Sequence, residues 1–343
     1  MLPRNARSAD AASHHPQATA GHGLAGTVRA MSQNASARLN PTTLLLLVIP
    51  PLMWAGNAVV GRMMQGVVPP VTLNFLRWTL AFLLLLPFAG RVLRPGPDGL
   101  WPHWRRFALL GLLGVGCYNA FQYVALKTST PMNVTLVAAS MPVWMLLLGR
   151  VFYGVAISRR AALGALLSLC GVAVVLSHGE LDHLLAVKLV PGDGWMLLAS
   201  LLWAWYSWLL VRPKPGTEPA HIKADWAAFL LAQIVMGMLW SGLFAAGEWL
   251  TLPPLAEGQH HIRWGWPLAA ALVYVAVGPS LLAYRCWGAG VARVGPALAS
   301  FFNNLTPLFA ALLSATLLGE PPRLYHALGF LLIVGGILVS SRK

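Results

Sequence analysis

Residues 131–175 read PMNVTLVAASMPVWMLLLGRVFYGVAISRRAALGALLSLCGVAVV, and residues 296–340 read PALASFFNNLTPLFAALLSATLLGEPPRLYHALGFLLIVGGILVS. Shifted by 165 positions, with no gap, the two stretches agree at their most constrained residues. Pro131 meets Pro296, Pro142 meets Pro307, Gly154 meets Gly319, Gly164 meets Gly329 and Gly171 meets Gly336. Proline and glycine are the residues whose placement backbone geometry restricts most, so their joint recurrence implies one backbone plan used twice. Apolar positions follow the same register: Leu147, Ala162, Leu166 and Val174 pair with Leu312, Ala327, Leu331 and Val339. The period is too long for a solenoid unit. In an apolar chain it is the signature of folds that place a solute site where two halves meet.

Composition sets the solvent. Of 343 residues, 57% are hydrophobic and only 10% are charged. A soluble domain has about 25% charged residues. Fifteen tryptophans point the same way, because Trp gathers at membrane interfaces and in apolar cavities. The net charge of +14 reflects a scarcity of acidic residues. The basic ones lie between apolar segments, which is a topology signal and no nucleic-acid footprint. Cys117, Cys170 and Cys286 each fall inside an apolar segment with no CxxC spacing, so they read as small packing residues.

Ten apolar segments are visible, near 43–62, 71–90, 107–126, 132–152, 160–178, 193–211, 226–247, 266–287, 297–318 and 324–341. Most approach the roughly 20 residues that span the hydrocarbon core. With the N-terminus inside and all ten crossing, 17 Lys and Arg fall on the cytoplasmic side and 5 outside, with Arg77 and Arg285 inside segments. That asymmetry puts both termini in the cytoplasm. Five crossings per half is an odd number, so the second half enters the membrane inverted relative to the first. The expected fold is an all-α integral membrane protein of ten transmembrane helices in two inverted five-helix repeats. The first repeat covers 43–178 and the second 193–341. Residues 1–42, rich in Ala, Ser, His, Asn and Gln, read as a disordered cytoplasmic tail and not as a signal peptide.

Several local patterns resemble a known family. The run Leu52-Met53-Trp54-Ala55-Gly56-Asn57 with Gly61-Arg62 is similar to the first helix of EamA-type carriers of the drug/metabolite transporter superfamily. Pro70 to Arg77 resembles the second helix. Leu305 to Val339, with Pro307, Gly319-Glu320-Pro321, Gly329 and Gly335-Gly336, resembles the last two helices of the second EamA repeat. Two departures stand out: Trp54-Ala55 where many members have Trp-Gly, and Gly154-Val155 where the second repeat has Gly319-Glu320. The resemblance implies ten helices around a central cavity in a bacterial inner membrane. It also implies carriage of small organic metabolites, often export. Amino-acid exporters, aromatic ones among them, form one branch. Nucleosides and cationic drugs are alternative cargoes.

Polar side chains at membrane depth are costly and often functional. Asn57, Asn119, Gln122 and Asn303 carry amides, which donate and accept and so suit polar or zwitterionic solutes. Their structural use would be helix–helix bonding, worth about 0.6 kcal/mol each. Trp54, Trp203, Tyr206, Tyr284 and Trp287 supply aromatic walls, and these nine residues form the expected substrate site. Trp195, Trp249, Trp264 and Trp266 sit at segment ends and suit an interfacial belt. Arg77, Pro142, Arg285, Pro307 and Glu320 are expected in gating or structural roles. Either arginine could bind a carboxylate bidentately, but bonding to nearby carbonyls or snorkelling is the commoner use. Glu320 is expected to cap a helix or pair with Arg323. Pro142 and Pro307 are expected at kinks.

None of the ten acidic residues lies mid-segment, so no buried carboxylate is expected to couple transport to protons or sodium. No cofactor or metal site is expected, since no His/Cys/Asp/Glu spacing suits a metal. An enzyme would need clustered acid, base or metal groups within the bilayer. A channel would need a repeated filter, and a sensor a soluble output domain. A carrier, monomeric or homodimeric, with the lipid bilayer and a small molecule as its partners, is the leading reading, and a multi-helix channel or a membrane sensor or scaffold without transport is the alternative.

Overall fold

The computed structural model describes residues 39–129, 131–186, 188–254, 260–318 and 323–342. Those residues are helical throughout their ordered elements, with no strand among them. Ten helices are long and apolar enough to cross a membrane. They are α1 (Pro41–Met63), α2 (Pro70–Ala89), α3 (Trp101–Ala125), α4 (Pro131–Ala138 and Met141–Tyr153) and α5 (Arg159–Leu176). The second half supplies α6 (Pro191–Val211), α7 (Trp226–Leu250), α8 (Trp266–Val294), α9 (Pro296–Asn303 and Thr306–Leu318) and α10 (Leu324–Ser341).

Three helices run longer than their apolar cores. α3 takes in Arg105 and Arg106, α7 takes in Glu248, and α8 continues through Arg285 and Arg293. Charge marks the end of an apolar segment in the sequence, but each of these helices continues past it. Arg106 shows why: its Nε meets Glu218 Oε2 at 3.2 Å, its Nη2 donates to the Leu209 carbonyl, and Lys223 Nζ lies 2.7 Å from Glu218 Oε1.

The pairing of α5 with α10 displays the repeat. A Cβ on Gly164 would stand 2.6 Å from the Gly336 carbonyl oxygen, and one on Gly336 2.6 Å from that of Gly164. Gly171 and Gly329 face each other likewise, at 2.8 and 2.9 Å. The repeat exchanges 164 with 329 and 171 with 336, so it carries one contact onto the other. The pairings run in opposite chain directions, so the helices are antiparallel about an axis that crosses them. Only small residues allow backbones this close, and in lipid that contact replaces the hydrophobic drive as the source of association.

Two further irregularities recur at the 165-residue shift. α4 breaks at residues 139–140 and α9 at 304–305, each two residues before its proline. Pro142 and Pro307 cannot donate to the carbonyls four residues back, on Ala138 and Asn303. The predicted kinks are present at both positions. α3 contains a π turn over Gly111–Cys117, and α8 contains one over Ala276–Leu282. Single π turns inside α-helices are rare and concentrate at functional sites.

Buried carboxylates hold the ends of the bundle. Glu248 accepts from Val71 N at 3.1 Å, Thr72 N at 2.8 Å and Thr72 Oγ1 at 2.9 Å, which caps α2 from the end of α7. Pro70 has no N–H to satisfy, and the carboxylate complements the helix dipole. Asp193 accepts from Val190 N at 2.9 Å, from Asn133 Nδ2 at 3.3 Å and from Ser129 Oγ, joining the starts of α4 and α6. Trp264 and Trp266 are exposed at the start of α8, as a belt requires.

Candidate functional site

A cavity of about 120 Å³ lies where the two halves meet. Its walls come from both. α1 supplies Trp54 and Asn57, α3 supplies Tyr118, Asn119 and Gln122, and α6 and α8 supply Trp203 and Tyr284. The broken stretch of α4 adds Thr135, Ala138, Ala139 and Met141, and that of α9 adds Asn303, Asn304, Thr306 and Pro307. Both breaks therefore lie on the cavity wall, where the carbonyls freed by proline can meet a solute. A larger crevice of about 850 Å³ lies at the far end of α2, by Arg91, Arg94 and His221. It is lined by residues of the stretch Leu86 to Gly99 and by His221, Ile222, Asp225 and Ala228, and includes none of the residues of the smaller cavity.

Chain direction gives the cavity its depth. Gln122 is within a turn of the end of α3, and Thr135 is just over a turn from the start of α4. The cavity thus reaches toward the face opposite the start of α1 and the end of α10. On its other side an aromatic cluster closes it. Trp203 is centred 5.3 Å from Trp54, 5.1 Å from Tyr118, 5.1 Å from Tyr206, 5.5 Å from Tyr284 and 5.9 Å from Trp287. Tilted and edge-on ring pairs of this kind add stability beyond their buried area.

Two hydrogen bonds of this cluster go to the π turns. Trp54 Nε1 donates to the Pro279 carbonyl at 3.2 Å, and Tyr284 OH donates to the Gly114 carbonyl. Positions 114 and 279 are equivalent in the repeat. Each half thus offers a π-turn carbonyl to an aromatic residue of the cavity wall.

Of the nine residues expected at the substrate site, seven line the cavity: Trp54, Asn57, Asn119, Gln122, Trp203, Tyr284 and Asn303. Tyr206 and Trp287 do not. Tyr206 OH donates to Gln233 Oε1 at 3.0 Å, and Trp287 Nε1 donates to Ser207 Oγ at 3.1 Å. Both stand one layer behind the wall, because their polar tips bond helix partners. Trp203 is itself only 2% exposed, so truncating it removes packing as well as wall.

Asn119 and Gln122 side chains bond nothing among the described residues, which leaves both amides available to a solute. Asn303 Nδ2 contacts Met141 Sδ at 2.9 Å, while its buried Oδ1 has no partner among the described residues. Asn57 Oδ1 accepts from Arg77 Nη1 at 3.2 Å. Arg77 does not line the cavity, so its guanidinium takes no solute carboxylate bidentately in this state. Arg285 is exposed, with its guanidinium carbon 4.4 Å from the Trp226 ring centre, and stays away from the cavity. Pro307 is on the wall; Pro142 is not, although its neighbour Met141 is. Glu320 lies outside the described residues.

Tyr118, Thr135, Met141, Asn304 and Thr306 also line the wall, beyond the residues expected from the sequence. A signal for four of them existed: the prolines fix the breaks, and the breaks bring 135–141 and 303–307 to the cavity.

Comparison with known proteins gives the family. The model of the EamA-like transporter family matches the chain twice, over residues 41–177 and 190–342. An uncharacterized transporter of Archaeoglobus fulgidus is 29% identical over 89% of this chain and 99% of its own. The aromatic amino acid exporter YddG of Ancylobacter novellus is 26% identical, covering 84% of this chain and 93% of its own. The inner membrane transporter YedA of Escherichia coli is 28% identical over 78% and 80%. A crystal structure with 23% identity superposes with a TM-score of 0.66, covering 88% of this chain and 96% of that one, and so shares the fold.

Proposed function

We propose, from the premise that the chain belongs to the EamA-like transporter family, that it carries amino acids or related small zwitterions across the inner membrane by alternating access. The family and the named relatives are transporters, and the ten helices make this a multi-pass membrane protein. The observation that carries the finer reading is the cavity wall. Trp54, Tyr118, Trp203 and Tyr284 form an apolar aromatic box, and Asn57, Asn119, Gln122 and Asn303 add neutral donors and acceptors. Such a wall suits a solute with one flat or apolar part and a compact polar head. The name of the Ancylobacter relative, an aromatic amino acid exporter, supports the same class.

The volume of about 120 Å³ is below the roughly 300 Å³ at which ligand pockets begin, so this state holds a small or partly enclosed solute. With 43–178 and 193–341 as the two repeats and both termini cytoplasmic, the cavity reaches toward the outer face. The aromatic cluster then closes the inner path and must part for the solute to pass. A periplasm-active reporter fused after Lys343 should be silent. Among the described residues no carboxylate lines the cavity, which supports transport down the solute gradient without a proton step.

Counterflow in liposomes tests the function. Labelled phenylalanine, tryptophan and leucine should exchange without a pH step or sodium, and Gln122→Leu should lower the rate with folded yield unchanged. Exchange of a nucleoside or a cationic drug, with none of the three amino acids moving, would reject the reading.

A further inference from the structure

We infer that Arg77 is a positioning residue that gives the cavity a carboxylate-reading end, acting through Asn57. The inference rests on the amino-acid reading above. Arg77 is 1% exposed, in the middle of α2. Among the described residues no carboxylate lies within 4.0 Å of it, and the ion pairs of the protein are elsewhere. A buried cation without a counter-ion is expensive, and in membrane helices such a group marks a solute path.

Its hydrogen bonds show how it is used. Nε donates to Ser280 Oγ at 3.0 Å, and Ser280 Oγ donates in turn to the Val275 carbonyl at 2.7 Å. This clamps the guanidinium against the π turn of α8. Nη1 donates to Asn57 Oδ1 at 3.2 Å. A guanidinium only donates, so the bond fixes which end of the amide faces it. Asn57 Nδ2 is left with no bond among the described residues, on a side chain that lines the cavity. Asn57 therefore presents a donor to the solute, with a full positive charge one hydrogen bond behind it. Charge behind a donor strengthens its bond to an anion. The solute carboxylate belongs at this end. The ammonium belongs with the unpartnered Asn303 Oδ1 on the α9 wall.

Calorimetric titration of the purified full chain tests this with three ligands of one shape: L-phenylalanine, L-phenylalaninamide and phenethylamine. The amide keeps the oxygen and loses the charge, and the amine loses both. At about pH 6 the amines are protonated. The wild type should bind the acid about tenfold or more tighter than the amide. In Arg77→Gln that preference should fall to about twofold or less, with phenethylamine affinity unchanged. Asn57→Asp, which pairs Arg77 and presents an acceptor instead, should reverse the order so that phenethylamine binds tighter than the acid. It serves also if Arg77→Gln does not fold. Equal losses for all three ligands, or an acid-to-amide ratio that neither variant moves, would overturn the role of Arg77 and leave the amino-acid reading standing. Failure of the wild type to bind phenylalanine at all would overturn both.

Discussion

In α3 the π turn is Gly-Leu-Leu-Gly-Val-Gly-Cys, residues 111–117; in α8 the matched turn is Ala-Val-Gly-Pro-Ser-Leu-Leu, residues 276–282. The backbone irregularity is the same, but its neighbours differ. The first turn is packed against α6 and α7 so closely that a Cβ on Gly111 would stand 2.5 Å from Gly237 N, and one on Gly114 2.7 Å from the Tyr206 ring. The second turn already carries a methyl at the position of Gly111, and it holds Arg77 through Ser280. One turn is specialised for close packing and the other for a buried charge. Repetition fixed the backbone path, and the two sets of side chains then diverged into different tasks.

The packing half of this contrast breaks most severely. Gly111→Ala should cost about 1–3 kcal/mol, because the obstructing atoms are backbone atoms of α7 that cannot swing away. The matched change Ala276→Gly should cost only about 1 kcal/mol. Thermal unfolding in detergent measures both, and equal midpoints would mean that the two turns are packed alike.

The charge half is next. Ser280→Val installs the residue of the first turn, Val115. It leaves Arg77 Nε without an acceptor and the Val275 carbonyl without its hydroxyl partner. The expected cost is about 1–3 kcal/mol, with a loss of phenylalanine counterflow larger than the loss of folded protein. Retained counterflow at normal stability would show that the Arg77 clamp is dispensable.

The smallest expected effect sharpens the likeness and not the difference. Tyr284→Phe removes the bond to the Gly114 carbonyl at a net cost of about 0.5–1.5 kcal/mol. Trp54→Phe removes the matched bond to the Pro279 carbonyl and should cost a similar amount. Denaturation of the two variants side by side checks this. A difference well beyond about 1 kcal/mol would mean that only one of the two carbonyls depends on its aromatic donor.

Much of this is legible in the sequence. Pro142 and Pro307 place the two helix breaks, because a missing N–H acts on its own helix whatever surrounds it. The amides and aromatics at membrane depth named seven residues of the wall. Tyr206 and Trp287 were indistinguishable from them in sequence, since all carry the same chemistry at the same depth. Their partners Gln233 and Ser207 lie 27 and 80 residues away. By distance along the chain, every carboxylate lies away from a segment centre. Glu248 and Asp193 are nevertheless buried, because other helix ends need acceptors.

The sequence by itself determined the crossing number, the repeat and the kinks. These follow from hydropathy and from covalent properties of single residues, which need no neighbour. Only the tertiary structure decided where the π turns fall, which aromatics face the cavity and which stand behind it, and that Asn57 turns its donor to the solute. Each of these depends on contacts between residues far apart in the chain, as Arg77 meets Ser280 across 203 positions. A hydrogen bond commits one end of a side chain only once its partner is in place.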